Sequence, residues 1–404
     1  MLHSSSAAAG NPRSAARTKP KNFKAKLKKA LPTLFLLAFA ALFAVFPDRY
    51  VPVCLDGIAL WALNVLPAVF PFLFVTALLR ASGGAQRVSR VFSPFAKVLF
   101  GTGGEGGFCF FMSILSGYPV GASLVSAFKA DGVFSDDEAQ ILACACSTSG
   151  PLFVIGSVGA GMFSDKKIGF AILAAHLLAA LLSGVLLRFF YHLRRRGGKR
   201  NPCTKKQSAR TRTKAFSLAE CVQNSALSAI GVGGCIAVFY VLAAMASDFG
   251  LLYPLQRLIG LLPQLAPCAE GLSKGIVEMT GGCLALAGLE TPLAAPCCAF
   301  LVTLGGASIL FQQIAYLRSA DVNLFVFLSV KLLQAAGAFF LCLLFLYIFL
   351  KPLCVVASNV KPRGIPWVSF VILLLLLSEE NFSSLCIHSI NDCQRLHANT
   401  FAAD

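Results

Sequence analysis

Long apolar runs follow one another along the chain and predict membrane-spanning helices. The uninterrupted runs lie at 31–47, 53–80, 167–193, 217–247 and 322–350. A spanning helix needs about 20 predominantly apolar residues. A chain with several such runs is typical of a multi-span membrane protein rather than of a soluble domain with one anchor, and the pattern predicts an all-α polytopic fold.

Two further apolar stretches are interrupted by Gly, Pro and Ser. Residues 108–132 form two short apolar arms around a tip that reads SGYPVG, which predicts a re-entrant helical hairpin. Ser135 and Glu138 form an N-capping signal. The helix that they open, over 141–163, is predicted to break at STSGP, 147–151. Irregular backbone is tolerated at membrane depth only where it is buried in protein or lines a wet cavity.

The second half of the chain repeats this order of elements. Short arms at 270–289 predict a second hairpin, and the run at 293–317 is interrupted by GGAS at 305–308. Each repeat is predicted to cross the membrane three times, an odd number, so the two repeats have opposite orientations. Inverted repeats with broken helices are a recurrent transporter architecture, with the binding site near the bilayer midplane.

Composition and charge agree with a membrane protein and argue against a nucleic-acid partner. The 404 residues are 57% hydrophobic and 13% charged, with a net charge of +17. Eight Lys and Arg lie in residues 1–29 and ten in residues 194–214, and neither segment holds an acid. This distribution predicts that both segments, and hence the N-terminus, lie in the cytoplasm beside anionic lipid headgroups. No aromatic residues alternate with these charges, so nucleic-acid binding is not expected.

The breaks are the best candidates for a binding site. Half-helix N-termini favour anions, and unwound carbonyls favour cations or donors. The STSGP break adds the hydroxyls of Ser147, Thr148 and Ser149. Kinks packed against small residues are the alternative, as in many transmembrane bundles. Four breaks at matching places in two halves favour a binding site.

Several polar residues near the breaks leave alternatives open. Glu278 is either a functional intramembrane acid or a helix-end acid paired with Lys274 at i and i+4. Either Gln312 or Gln313 is expected to face a cavity. We interpret His176 as a neutral, hydrogen-bonded packing residue. The cysteines are scattered without paired CxxC units and no catalytic set is evident, so we expect no metal site, no cofactor beyond a coupling Na⁺ or H⁺, and no enzymatic activity.

The stretch from 115 to 163 carries a family resemblance. Its combination of SGYPVGA, the short acidic helix start and SGPLFVIGSVGAGMF resembles the sporulation integral membrane proteins, whose core is the nucleoside-recognition or Gate domain. The resemblance covers roughly residues 50–350 and implies the fold of concentrative nucleoside transporters. The predicted divisions are a basic disordered tail at 1–30, a first transmembrane helix at 31–50, Gate repeats at 51–193 and 215–350, a basic cytoplasmic loop at 194–214, and a hydrophobic segment with a polar tail at 351–404.

The resemblance also implies a set of substrate-binding residues at the two tips and the two breaks. With the glutamine after the second break, this candidate set is Ser116, Gly117, Tyr118, Pro119, Ser147, Thr148, Ser149, Gly150, Glu278, Thr280, Gly281, Gly306, Ser308 and Gln312.

The function that the resemblance implies is alternating-access transport of a small polar or anionic metabolite, with dipicolinate during spore formation as the expected substrate. Two alternatives stay open: a nucleoside transporter, and a non-transporting membrane scaffold needed for spore envelope assembly. The expected location is the inner or the forespore membrane. The oligomeric state, monomer or homo-oligomer, is left open.

Overall fold

The computed structural model describes residues 23–196 and 217–355, and within them every regular element is helical. The α-helices are α1 Phe23–Val45, α2 Pro47–Leu60, α3 Leu66–Ala81, α4 Gly84–Leu99, α5 Gly104–Ser116, α6 Val120–Ala130, α7 Asp136–Ala145, α8 Lys166–Arg196, α9 Leu218–Asp248, α10 Tyr253–Gly260, α11 Ala269–Val277, α12 Met279–Ala287, α13 Ala294–Leu304, α14 Gly306–Leu317 and α15 Leu324–Val355. Two π-helical segments, Trp61–Val65 and Leu152–Met162, join or extend them. The tail predicted to be disordered at 1–30 is helical from residue 23 on, because α1 begins there, and the apolar part of α1, Ala30–Val45, is shorter than the transmembrane helix predicted at 31–50. Residues 194–196 of the predicted basic loop belong to α8, and residues 351–355 of the predicted C-terminal segment belong to α15. The remaining residues of these three segments lie outside the described part of the chain.

Five helical stretches in the described residues are long and apolar enough to cross a membrane. They are Pro47–Ala81, Lys166–Arg194, Leu218–Asp248, Ala294–Ala320 and Leu324–Ile348. The bent pair α4–α5 gives a sixth if it is counted as one span. The protein is therefore an integral membrane protein, and the predicted all-α class is confirmed.

Helices α4 and α5 meet at an angle of 96°. Helix α5 begins at Gly104, within the glycine-rich sequence GTGGEGG at 101–107. Gly104 and Gly107 allow α5 to pack closely on α4. A Cβ on Gly104 would overlap the carbonyl of Ser89, and one on Gly107 would lie 2.6 Å from Cβ of Phe92.

The first hairpin and the first broken helix are both present. Helices α5 and α6 are joined by residues 117–119, and Gly117 there has φ of +74°. Ser135 and Glu138 form a capping box that begins α7. After α7 ends at Ala145, residues 147–150 are not helical, and the chain resumes as a π-helix at Leu152.

The second half contains the matching hairpin and broken helix. Glu278, in extended conformation, separates α11 from α12. Gly305 and Gly306, with φ of +87° and +64°, separate α13 from α14. Thr280 and Gly281, which the resemblance places at the second tip, lie instead in the first turn of α12. The reason is that the side chain of Glu278 caps the N-terminus of α12, so the non-helical residue between α11 and α12 is Glu278 itself.

Within each half the hairpin break lies against the helix break. A Cβ on Gly117 would lie 2.7 Å from the backbone nitrogen of Gly150. In the second half, a Cβ on Gly306 would lie 2.7 Å from the carbonyl oxygen of Gly275 and 3.2 Å from the nitrogen of Met279. The two halves thus share a packing arrangement as well as an order of elements.

Candidate functional site

A small cavity lies where the breaks of the two halves meet. Its volume is about 40 Å³, which is room for a few water molecules. It is lined by Val65, Val69, Gly117, Tyr118, Ser149, Gly150, Phe153, Val232, Ile236, Glu278, Met279, Thr280, Ile309 and Gln312. The first hairpin tip, the first break, the second hairpin break and α14 therefore contribute to one site.

Tyr118 anchors the first hairpin tip to the second half. Its hydroxyl is 3.1 Å from the carbonyl oxygen of Val302 and 3.3 Å from that of Thr303, and it donates to this pair. Both acceptors lie in the last turn of α13, whose final carbonyls have no partner within the helix. The tip is also fixed to α3, because the hydroxyls of Ser116 and Thr76 are 3.2 Å apart.

The first break is held by hydrogen bonds to neighbouring helices. Thr148 Oγ1 donates to Ser113 Oγ over 3.1 Å. The backbone nitrogen of Ser149 donates to His176 Nε2 over 2.8 Å. His176 Nδ1 is 2.9 Å from Thr303 Oγ1. A break that is buried in the membrane region thus has its freed backbone N–H satisfied from α8.

The tautomer of His176 follows from these bonds. Thr303 Oγ1 donates its own proton to the carbonyl of Ala299 over 2.7 Å, so it accepts from His176 Nδ1. Nε2 is then the acceptor for Ser149, which requires the neutral ring. The geometry supports the neutral packing role that the sequence analysis assigned to this histidine.

Glu278 is an N-cap whose carboxylate faces its own helix. Oε1 accepts from the nitrogen of Thr280 over 3.0 Å, and Oε2 from the nitrogen of Gly281 over 2.7 Å. The residue is 2% exposed. The alternative pairing with Lys274 does not form, since Lys274 Nζ bonds Glu270 Oε1 at 2.6 Å. The positive end of α12 stabilises the negative charge.

Unpartnered polar atoms gather on α14. In the described part of the chain, Ser308 Oγ, Gln312 Nε2 and Gln313 Nε2 are buried and have no hydrogen-bond partner. Gln312 lines the cavity. Gln313 accepts instead from the hydroxyl of Ser147 through its Oε1. The choice that the sequence left open between these two glutamines is therefore decided in favour of Gln312.

The candidate residues divide equally between the cavity wall and the layer behind it. Those that line the cavity are Gly117, Tyr118, Ser149, Gly150, Glu278, Thr280 and Gln312. Those that do not line it are Ser116, Pro119, Ser147, Thr148, Gly281, Gly306 and Ser308. In this second group, Ser116, Pro119, Thr148 and Gly281 are next to lining residues in the chain, and Ser116 and Thr148 hydrogen-bond to Thr76 of α3 and Ser113 of α5.

Lys331 is a residue at this site that the sequence analysis missed. It lies on α15, is fully buried, and donates to the carbonyl of Ser147 and to the hydroxyl of Tyr118. Its signal was a lysine inside a run that was otherwise treated as an uninterrupted span, followed by Gln334 one turn later. A charge within a span is rare and marks a functional group by default.

Comparison with known proteins agrees with this architecture. Residues 62–184 match the Gate family, described as nucleoside recognition. The matched segment runs from the π-helical segment Trp61–Val65 and α3 through the first hairpin and the first break into α8. It therefore contains the whole first-half contribution to the cavity.

Similarity extends beyond the Gate segment. The chain is 27% identical over 347 residues to the sporulation integral membrane protein YlbJ of Bacillus subtilis (strain 168), and the match covers 81% of this chain and 84% of that protein. Among solved structures, one of CNTnw in its intermediate 1 state covers 79% of this chain and 86% of its own, with a TM-score of 0.42 and 14% identity. The resemblance to Gate-domain sporulation membrane proteins is confirmed.

Proposed function

We propose that this protein transports a small polar or anionic metabolite across a membrane during spore formation. The observation that carries the proposal is one cavity to which both hairpin breaks, the first helix break and Gln312 contribute. Polar groups on discontinuous helices at the meeting of two repeats are the usual site of secondary transporters. The similarity to a sporulation membrane protein supports the biological setting.

Dipicolinate, a small aromatic dianion, is the substrate that we propose. The free amide donor of Gln312 points to an acceptor-rich ligand, and the apolar residues Phe153, Ile236 and Ile309 provide a wall for an aromatic ring. Glu278 adds a negative charge to the wall, but both of its oxygens already accept backbone N–H groups. That arrangement reduces its repulsion of a carboxylate ligand, because the helix N-terminus compensates its charge.

The proposed movement is alternating access. A cavity of about 40 Å³ is far below the roughly 300–1,000 Å³ that ligand sites occupy. The site must therefore open to admit a substrate. Because each hairpin packs on the broken helix of its own half through glycine contacts, we propose that each half moves as a unit and that the cavity opens between them.

The test is uptake by proteoliposomes of labelled dipicolinate, several nucleosides and a simple dicarboxylate. We expect saturable dipicolinate uptake that competes with unlabelled dipicolinate. Gly150→Leu should abolish it, since a side chain there would press on the carbonyl of Leu115 and the nitrogen of Gly117, at 3.3 and 3.6 Å from its Cβ. Gly156→Leu is the matched control, because no atom lies within 4 Å of the Cβ position.

A nucleoside is the second candidate substrate, and the description of the Gate family favours it. Saturable nucleoside uptake with no dipicolinate uptake would show that the substrate is a nucleoside, and the proposal of alternating-access transport would stand.

Failure to take up any compound, by protein that is folded and inserted, would contradict transport and favour a membrane scaffold. Deletion of residues 197–212, outside the described residues, separates these cases, because a scaffold that recruits partners through this basic loop would fail without it.

We further propose that the N-terminus and the basic loop lie in the cytoplasm. The support is the concentration of Lys and Arg in these two segments. Protease treatment of right-side-out and inverted vesicles tests this orientation. Cleavage in the loop only in inverted vesicles is the expected result, and cleavage in right-side-out vesicles would contradict it.

A further inference from the structure

We infer that the ammonium group of Lys331 is a tethered cation at the junction of the first hairpin and the first break, in the position where such half-helices otherwise hold a sodium ion. The protein then needs no sodium ion at this junction. The consequence for transport rests on the function proposed above, whereas the consequence for ion binding does not.

The contacts of Lys331 are those of a bound cation. Nζ lies 3.1 Å from the carbonyl oxygen of Ser147 and 3.3 Å from the hydroxyl oxygen of Tyr118. It also lies 5.2 Å from the centroid of the Tyr118 ring, within the range of a cation–π interaction. The first contact is with the break itself and the other two are with the hairpin tip.

No acid balances this charge among the residues that the structure describes. Two ion pairs in that part of the chain, Lys129–Asp136 and Lys274–Glu270, are partly exposed and do not involve Lys331. His176, which also faces this junction, is the neutral tautomer. A buried ammonium is normally paired with a carboxylate, so here uncharged oxygens must stabilise it.

Helix ends supply that stabilisation. Ser147 immediately follows Cys146, the C-cap of α7, so its carbonyl lies at the negative end of this half-helix. The Tyr118 hydroxyl that accepts from Lys331 donates in turn to Val302 and Thr303 at the C-terminal end of α13. The ammonium is thus joined directly to one half-helix end and through Tyr118 to the other.

Unwound carbonyls and half-helix C-terminal ends are the groups that bind coupling ions in transporters built this way. An ammonium and a sodium ion carry the same charge and use the same oxygen acceptors. Once Lys331 occupies these acceptors, a second cation beside it would meet strong like-charge repulsion in a buried site. The lysine therefore replaces the ion.

The first test measures sodium binding without transport. Purified protein is heated in equal concentrations of sodium, potassium and choline chloride, and Tm is recorded. We expect wild type and Lys331→Arg to show the same Tm in all three salts. Lys331→Ser frees the Ser147 carbonyl and the Tyr118 hydroxyl and opens a space beside them, so we expect a rise in Tm that is specific for sodium and saturates. Lys274→Ser, at the surface pair with Glu270, is the control and should show no such rise.

A sodium-specific rise in Tm of the wild type would overturn the inference, and so would a folded Lys331→Ser without one. If Lys331→Ser does not fold, the Tm values of wild type and Lys331→Arg in the three salts still test the inference, because a sodium-specific rise in either would contradict it.

Uptake separates this inference from the proposed function. Equal uptake with sodium and with choline outside the vesicles supports the inference, and uptake that requires a sodium gradient overturns it while transport stands. No uptake in any salt, with a Tm that is insensitive to sodium, contradicts the proposed function and leaves the tethered cation supported.

Discussion

His176 shows how a single residue can make a helix break possible inside a membrane. Its ring accepts from the backbone of Ser149 and donates to Thr303, so it joins the first break to α13 of the other half. An unsatisfied backbone N–H costs several kcal/mol in hydrocarbon. The histidine removes this cost without carrying charge, which distinguishes it from a proton relay.

Glu278 gives a residue-scale prediction about stability. Glu278→Ala leaves the N–H groups of Thr280 and Gly281 buried without their acceptor, so we expect a loss of about 1–3 kcal/mol in the free energy of unfolding. Glu278→Gln keeps one oxygen acceptor and should lose less. Thermal unfolding of the purified variants is the measurement.

Glu270→Ala is the matched control for this prediction. It removes an acid from an exposed i,i+4 ion pair with Lys274, and exposed pairs contribute about 0.2–1 kcal/mol. Equal stability of Glu278→Ala and Glu270→Ala would contradict the capping role.

Gly117 gives a second residue-scale prediction. An alanine there must adopt φ of +74° with ψ of −167°, a conformation that is essentially restricted to glycine and costs about 1–3 kcal/mol for other residues. Its Cβ would also lie 2.7 Å from the nitrogen of Gly150. We expect Gly117→Ala to lower Tm and Gly156→Ala, in open space on the following π-helix, to leave Tm unchanged or raise it. A Tm for Gly117→Ala equal to that of wild type would show that the tip does not pack as described.

At the scale of elements, the hairpin and the broken helices act together through Tyr118. Its ring belongs to the α5–α6 tip, its hydroxyl reaches the end of α13, and the ammonium on α15 reaches the hydroxyl. Three elements from different parts of the chain therefore depend on one oxygen atom.

Tyr118→Phe tests this dependence. The change removes an acceptor from a buried ammonium and a donor from the α13 carbonyls, so we expect a loss of about 1–3 kcal/mol. Hydrogen exchange in residues 113–121 should become faster. Tyr253→Phe is the control, because its hydroxyl accepts from Arg257 on an exposed part of α10. Unchanged exchange at the tip in Tyr118→Phe would mean that other contacts hold the hairpin.

At the scale of the whole molecule, lipid takes the place of water as the outer solvent. Leu333 on α15 is 72% exposed, while Leu301 on α13 is fully buried. Leu301 packs so closely on α11 that a Cβ on Gly275 would overlap its side chain. The side chain of Leu333 thus faces lipid, whereas that of Leu301 packs against other helices.

Leu301→Ala should therefore cost about 2–5 kcal/mol in the free energy of unfolding, because it leaves a cavity in the packed core. Leu333→Ala should cost much less, because lipid chains fill the space that the side chain leaves. Unfolding of both variants in the same detergent is the measurement. Similar losses for the two would contradict the assignment of the α15 outer face to lipid.

The sequence alone predicted the five long apolar spans and the order in which the breaks repeat, although the apolar part of α1 is shorter than the span predicted for it. Apolar runs of about 20 residues are long enough to span the bilayer as helices. Clusters of Gly, Pro and Ser interrupt helices through the conformational preferences of their own backbone. These signals are local, so the sequence predicts the first hairpin tip, the STSGP break and the Ser135 capping box, and the structure contains all three.

Only the tertiary structure decided which polar groups meet. Periodicity did not separate Gln312 from Gln313, and it offered Lys274 as a partner for Glu278 although the backbone of α12 is the actual one. Lys331 bonds Ser147 and Tyr118, residues 184 and 213 positions away in the chain. No local pattern contains such a contact, because it arises only when helices from both repeats pack around one cavity.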